Sequence, residues 1–185
     1  MNYKKTEKRI SEEVSRVMDT ISEEQVQELF EKINKADKVF FVGVGRVLLS
    51  LEAIAKRLAH LGVFTVVVGQ ITEPAITKDD LLIVGSGSGE SAFPLAIAKK
   101  ARQFGAIVAH IGSNPNSSMK AYTDYFVRIP VQTKLNLENE IPSIQPMSSL
   151  FEQCLLLLGD TIALMMIEDE EIDIHGLWRF HANLE

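Results

Sequence analysis

Leu81-Leu82-Ile83-Val84-Gly85-Ser86-Gly87-Ser88-Gly89-Glu90-Ser91 is the stretch on which the reading of this chain turns. Its first four residues form an unbroken apolar run, as expected of a strand buried on both faces of a parallel sheet. A turn of alternating glycine and serine follows, and a helix opens near Ala92 to Pro94 and runs to about Phe104. Strand, tight turn and helix N-terminus in that order form an anion site. The first amides of a helix have no partner within it, and the helix dipole adds to their attraction for negative charge. Ser86, Ser88 and Ser91 add hydroxyl donors, and Gly87 lies between them. The usual nucleotide signatures are absent. There is no Gly-Lys-Ser/Thr, and no Gly-x-Gly-x-x-Gly with a distant acid. So many hydroxyls suit a small phosphorylated metabolite better than a pyrophosphate. The plainer alternative is a turn that only joins strand to helix.

Similar strands lie on either side. Upstream, Lys38 to Val42 reads as a strand running into Gly43-Val44-Gly45-Arg46. A helix is expected from about Leu48 to Leu61, ended by Gly62. Val63 to Val68 is the second strand, and a connection containing Pro74 leads to Leu81. Downstream, Gly105 ends the helix, Ala106 to Ile111 is the fourth strand, and Asp124 to Ile129 is the fifth. Short apolar strands separated mostly by helices predict an α/β fold, a parallel sheet covered on both faces. Ligands in such folds bind beyond the carboxyl ends of the strands. The glycine turns after Val42 and Val84 both fall there.

Two helices are expected before the sheet, over about 5–35, the second capped by Ser22 and Gln25 as a capping box. Residues 130–146 form a long polar loop between two prolines, either a lid or site-lining segment or a loose surface excursion. An apolar helix follows from Ser149 to about Ile167, with the acidic run Glu168 to Glu171 placed to break it. The tail carries His175, Trp178, Arg179 and His181. The whole of 1–185 reads as one domain, and no internal repeat stands out.

Composition narrows the function. The chain has 185 residues and a net charge of −6, which argues against a nucleic-acid groove or a polybasic membrane surface. The single cysteine, Cys154, excludes an intrachain disulfide framework and lies in an apolar run. The charged N-terminus does not read as a signal peptide, and no apolar run reaches about eighteen residues. The expected location is the cytoplasm.

Several side chains could carry chemistry. Glu152 lies in the first turn of the last helix, where it could serve as a base, or as the glutamate of a Ser149–Glu152 capping box. Arg46 could bind an anion or lie solvated at the surface. Glu90 could cap a helix or hold a sugar hydroxyl. His110, inside a strand, reads as structural, and His60 as a cationic helix end. His181 lies in a tail of little periodicity. The four histidines have no metal-ligand spacing.

The serine turn, together with Gln145-Pro-Met-Ser-Ser-Leu-Phe-Glu-Gln153 and His181-Ala-Asn-Leu-Glu185, resembles the sugar isomerase (SIS) family, and specifically its 6-phospho-3-hexuloisomerases. The resemblance covers nearly the whole chain. It implies a three-layer αβα SIS fold with a five-stranded parallel sheet, flavodoxin-like, usually assembled as a homotetramer with sites near subunit contacts. It implies interconversion of D-arabino-3-hexulose 6-phosphate and D-fructose 6-phosphate through a cis-enediolate, with neither organic cofactor nor metal. The step belongs to the ribulose monophosphate pathway of formaldehyde assimilation. The partner implied is a phosphorylated six-carbon keto sugar. Carried over by position, Ser86, Ser88 and Ser91 would hold the phosphate, with Gly45, Arg46 and Gly87 beside them. Glu152 would be the base, and His60 or His181 could assist, the latter in its own or a neighbour's site. Two places depart from the family pattern. Gly-Arg-Ser-Gly appears as Gly45-Arg46-Val47-Leu48, and Gly-Glu as Gly69-Gln70.

Overall fold

The computed structural model describes residues 2–169 and 171–184. Glu170 of the acidic run and Glu185 at the end of the tail lie outside the described residues, as does the side chain of His175. In order, the elements are α1 (Tyr3–Met18), α2 (Glu23–Lys35), β1 (Val39–Val42), α3 (Gly45–His60), β2 (Thr65–Val67), β3 (Leu81–Gly85), α4 (Ala92–Gln103), β4 (Ile107–Gly112), β5 (Tyr125–Arg128) and α5 (Ser149–Asp169). Short 3-10 segments cover Ser118–Tyr122 and Ile174–Phe180. The five strands form one parallel sheet in the order β2-β1-β3-β4-β5. The chain is therefore an α/β fold with helices on both faces, as the strand pattern predicts. The sheet order reverses between β1 and β3, and both glycine turns leave the sheet on that side.

Alternation along the strands makes two cores. Phe41, Leu81, Ile83 and Ile111 face one way and meet α2, α3 and α5, with Val17 of α1 in the same cluster. Phe40, Val42, Leu82, Val84 and Val108 face the other way and meet α4. α5 is long and apolar enough, by length and composition, to cross a membrane, contrary to the sequence expectation. Its buried residues, among them Phe151, Leu155, Leu158 and Ile162, make it a core helix here. Cys154 is fully buried on it, and burial pushes its thiol up to about 11. Gly159 is needed where α3 crosses, because a Cβ there would collide with Ile54.

Element ends differ from expectation in instructive ways. α3 begins at Gly45, three residues before Leu48. Gly45 takes φ of 59° and completes the turn at once, so Arg46 and Val47 already stand in the first helical turn. Only half of the expected capping box at α2 forms. Ser22 accepts from the Gln25 amide, but the Gln25 side chain accepts from the Arg128 amide of β5 instead.

Candidate active site

A cavity of about 550 Å³ opens at the carboxyl ends of β1 and β3, at the switch in strand order. Three segments wall it. The first is the start of α3, with Gly45, Arg46 and Val47; the second is the turn 85–91; the third is the loop 130–146 running into the start of α5. The cavity gathers seven of the nine residues that the family resemblance carries over, namely Gly45, Arg46, Ser86, Gly87, Ser88, Ser91 and Glu152.

The serine turn is fixed from below by β4. The Ser86 carbonyl accepts from the Gly89 amide at 3.2 Å and from His110 Nε2 at 2.8 Å. The Gly87 carbonyl accepts from the Ser113 and Asn114 amides at 2.9 and 3.2 Å. His110 is 1% exposed, and burial lowers its pKa to about 4 despite the Ser86 contact. Its ring is neutral near pH 7, with the Nε2 proton on the Ser86 carbonyl. His110 is therefore structural, as its place in a strand predicts. Gly89 takes φ of 68°, and a side chain there would run into Ser117 and the His110 ring.

Backbone pinning orients the hydroxyls. Ser86 Oγ accepts from the Gly89 amide at 3.1 Å, and Ser88 Oγ accepts from the Glu90 amide at 3.3 Å. Each oxygen is thus held by an amide, and the Ser88 O–H stays available to donate. Ser86 directs its proton to Ser91 Oγ at 3.4 Å. Glu90 points elsewhere and does not line the cavity. Its carboxylate accepts from the Ser118 amide at 2.7 Å, which together with the Ser118 hydroxyl holds its pKa below the usual range. A carboxylate beside an anion site is thereby turned away from it.

Glu152 is only 6% exposed, yet its carboxylate lies in the cavity wall. Ser148 Oγ donates to Oε1 and Arg46 Nε donates to Oε2, both at 2.6 Å. The capping box with Ser149 does not form, because Ser149 directs its hydroxyl and its amide to the Pro146 carbonyl. Glu152 thus spends neither oxygen on the backbone. Each keeps lone-pair capacity beyond its one donor. The Arg46 side chain is 67% exposed despite the ion pair, and only its Nε is used by Glu152.

His60 and His181 do not join this group within the chain. They stack on one another, ring centroids 5.3 Å apart, in a separate cavity of about 330 Å³ with Arg57, Asp160 and Trp178. The expectation that they assist Glu152 has no support from the geometry of a single chain.

The loop 130–146 lines the site, and sequence reading passed over its members Gln132, Thr133, Lys134 and Gln145, as it did Ser148 in the neighbouring turn. Lys134 adds a second cation to the cavity. Its only signal in the sequence was a lone lysine in a polar loop. Of the two departures at the first glycine turn, Val47 lines the cavity and Leu48 does not. Val47 closes on Gly85, where an added Cβ would lie 2.9 Å from Val47 Cγ1. Gly69 and Gln70, just after β2, do not line the cavity, and the Gly69 amide donates to Glu73 at 2.6 Å.

Comparison with known proteins places this geometry. The SIS domain family matches residues 32–158. The chain is 38% identical over 165 residues to 3-hexulose-6-phosphate isomerase of Bacillus subtilis, covering 89% of each. It is 36% identical to the enzyme of that name from Mycobacterium gastri, covering 95% of this chain and 88% of that one. A crystal structure from Methanococcus jannaschii, whose inferred molecular function is 3-hexulose-6-phosphate isomerase, superposes with a TM-score of 0.84 at 27% identity, covering 98% of this chain and 99% of that one. With the serine turn and Glu152 brought to one cavity, the chain belongs to the SIS domain family, and within it is related to the 3-hexulose-6-phosphate isomerases.

Proposed function

We propose that this protein is a phosphosugar isomerase that interconverts D-arabino-3-hexulose 6-phosphate and D-fructose 6-phosphate. The observation that carries the reading is Glu152, a buried carboxylate held by Arg46 and Ser148 in the same cavity as a turn of three serines. The names of the relatives agree with it.

In this reading the substrate phosphate sits on the hydroxyls of Ser86, Ser88 and Ser91, with Gly87 and Gly45 giving the backbone close approach. Lys134 supplies charge from the facing loop. Binding at the phosphate orients carbons 2 and 3 against Glu152. Moving the ketone from C3 to C2 takes a proton from C2 and returns one to C3, with a cis-enediolate between, while the hydroxyl proton passes from O2 to O3. One carboxylate on one face of the sugar serves both transfers. Charge grows on the sugar oxygens in the enediolate, and the remaining N–H groups of Arg46 are placed to receive it. The 3-ketose has its O6 occupied by phosphate and stays open-chain, so no ring needs opening in the direction from hexulose to fructose 6-phosphate. The reaction needs neither metal nor organic cofactor in this scheme, and we place it in the cytoplasm.

Val47 favours a second reading, an isomerase of another phosphosugar, because a methyl stands where the family carries a hydroxyl. Conversion of D-arabino-3-hexulose 6-phosphate to fructose 6-phosphate by the purified protein decides between them. Fast turnover is expected. A folded protein that binds fructose 6-phosphate without turning over the hexulose would favour another phosphosugar or a sensor.

We also propose that the chain assembles as a homotetramer. Leu49 on α3 and Leu157 and Leu164 on α5, two helices that pack on one another, are 62%, 42% and 51% exposed. Apolar side chains gathered on adjoining helices fit a subunit contact.

A further inference from the structure

α1 lies wholly outside the segment that matches the SIS domain. It nevertheless carries a buried carboxylate, Glu13, on a helix whose other buried residue is the apolar Val17. Glu13 Oε1 accepts from the Ile144 amide at 2.8 Å. Its Oε2 accepts from Ser143 Oγ at 2.9 Å and from Gln145 Nε2 at 3.2 Å. Burial works against the charge, but these donors and nearby Arg16 together outweigh it and hold the pKa below the ordinary value. Arg16 also donates to the Pro142 carbonyl at 3.4 Å.

The three residues that Glu13 holds are consecutive, and two of them, Ser143 and Gln145, line the cavity. The chain of bonds goes further. Gln145 Nε2 donates to Gln153 Oε1 at 3.1 Å, and Gln153 Nε2 donates back to Gln145 Oε1 at 2.8 Å. Gln153 directly follows Glu152. A carboxylate on α1 is thus linked through one side-chain pair to the helical turn that bears the proposed base.

We propose that Glu13 is a positioning residue for the active site. It fixes 143–145 in the cavity wall, and through the Gln145–Gln153 pair it sets how the first turn of α5 presents Glu152. It lies behind the wall and touches no substrate. The proposal rests on reading Glu152 as the base, and it makes the N-terminal helix part of the catalytic unit.

The test compares wild type, Glu13→Ala, Glu13→Gln, Gln145→Ala and the Glu13→Ala/Gln145→Ala double variant. Amide hydrogen exchange of the substrate-free protein and steady-state turnover of 3-hexulose 6-phosphate are both read. Glu13→Ala is expected to lose protection at 144–153 while the β1, β3 and β4 amides keep theirs. It should lower kcat/KM about 10- to 100-fold, with kcat falling as well as KM rising, since misplacing a reacting group by about 1 Å has effects of that size. Glu13→Gln keeps a carbonyl acceptor for the Ile144 amide and should recover most of the loss. Gln145→Ala should match Glu13→Ala, with the double variant no worse than either. Unchanged exchange at 144–153, a loss of thermal stability with kcat and KM unmoved, or additive losses in the double variant would each overturn the proposal. Should wild type not turn over the hexulose, the proposed reaction fails instead, and the exchange profile still decides the role of Glu13.

Discussion

Two residues carry the proposed chemistry, Glu152 and Ser88, and a third, His110, supports the turn beneath them; each can be changed alone. Glu152→Gln keeps the size and one acceptor but removes the proposed base. Turnover should fall by about 10²- to 10⁴-fold, while fructose 6-phosphate binding by calorimetry stays near wild type. Equal loss of both would remove Glu152 from the proton path. Ser88→Ala should weaken phosphorylated ligands about 10-fold or more, the scale of a hydrogen bond to a charged group, and leave neutral sugars unaffected. His110 has a different effect. Its folded pKa of about 4 lies below the ordinary 6.5, so the unfolded chain takes up a proton first as pH falls. The contribution is complete above about 6.5 and is lost as pH drops toward 4. Urea titrations should show stability declining across that window, and His110→Gln should flatten the slope.

At the level of elements, most of the architecture was visible in apolar run lengths. β1, β3, β4 and β5 lie where those runs put them, with ends shifted by one residue at most, because buried parallel strands tolerate few residue types; α3 ends at His60, just short of the expected Leu61 and the terminating Gly62. The candidate site was half legible. The serine turn carries its own chemistry in adjacent residues, whereas the loop 130–146 is polar throughout and only the folded chain shows which of its side chains face inward. The capping patterns misled twice for one reason. Ser149–Glu152 and Ser22–Gln25 have the spacing of local boxes, but tertiary partners, Arg46 and the Arg128 amide, took Glu152 and Gln25. The serine turn also depends on its glycine. Gly89→Ala forces a side chain at φ of 68° against Ser117 and His110. It should cost about 1–3 kcal/mol in chemical denaturation and abolish phosphate binding together with it.

For the molecule as a whole, the assembly proposal is tested by Leu164→Glu, which puts a charge on the exposed surface of α5. Sedimentation should show a smaller species than wild type, and an unchanged one would clear that surface of any role in assembly. The loop over the site has a further bearing on how the enzyme meets its substrate. Glu140 accepts from Thr133 through both amide and hydroxyl, from the Leu137 amide and from Ser113. With Glu13 at its other end, the loop is tied at both flanks by carboxylates and stands as a wall. Within the single chain the cavity opens on one side, and we expect a sugar phosphate to enter it without a swing of this loop. In stopped flow, binding should be a single exponential whose rate rises linearly with ligand and falls in proportion to added viscosity.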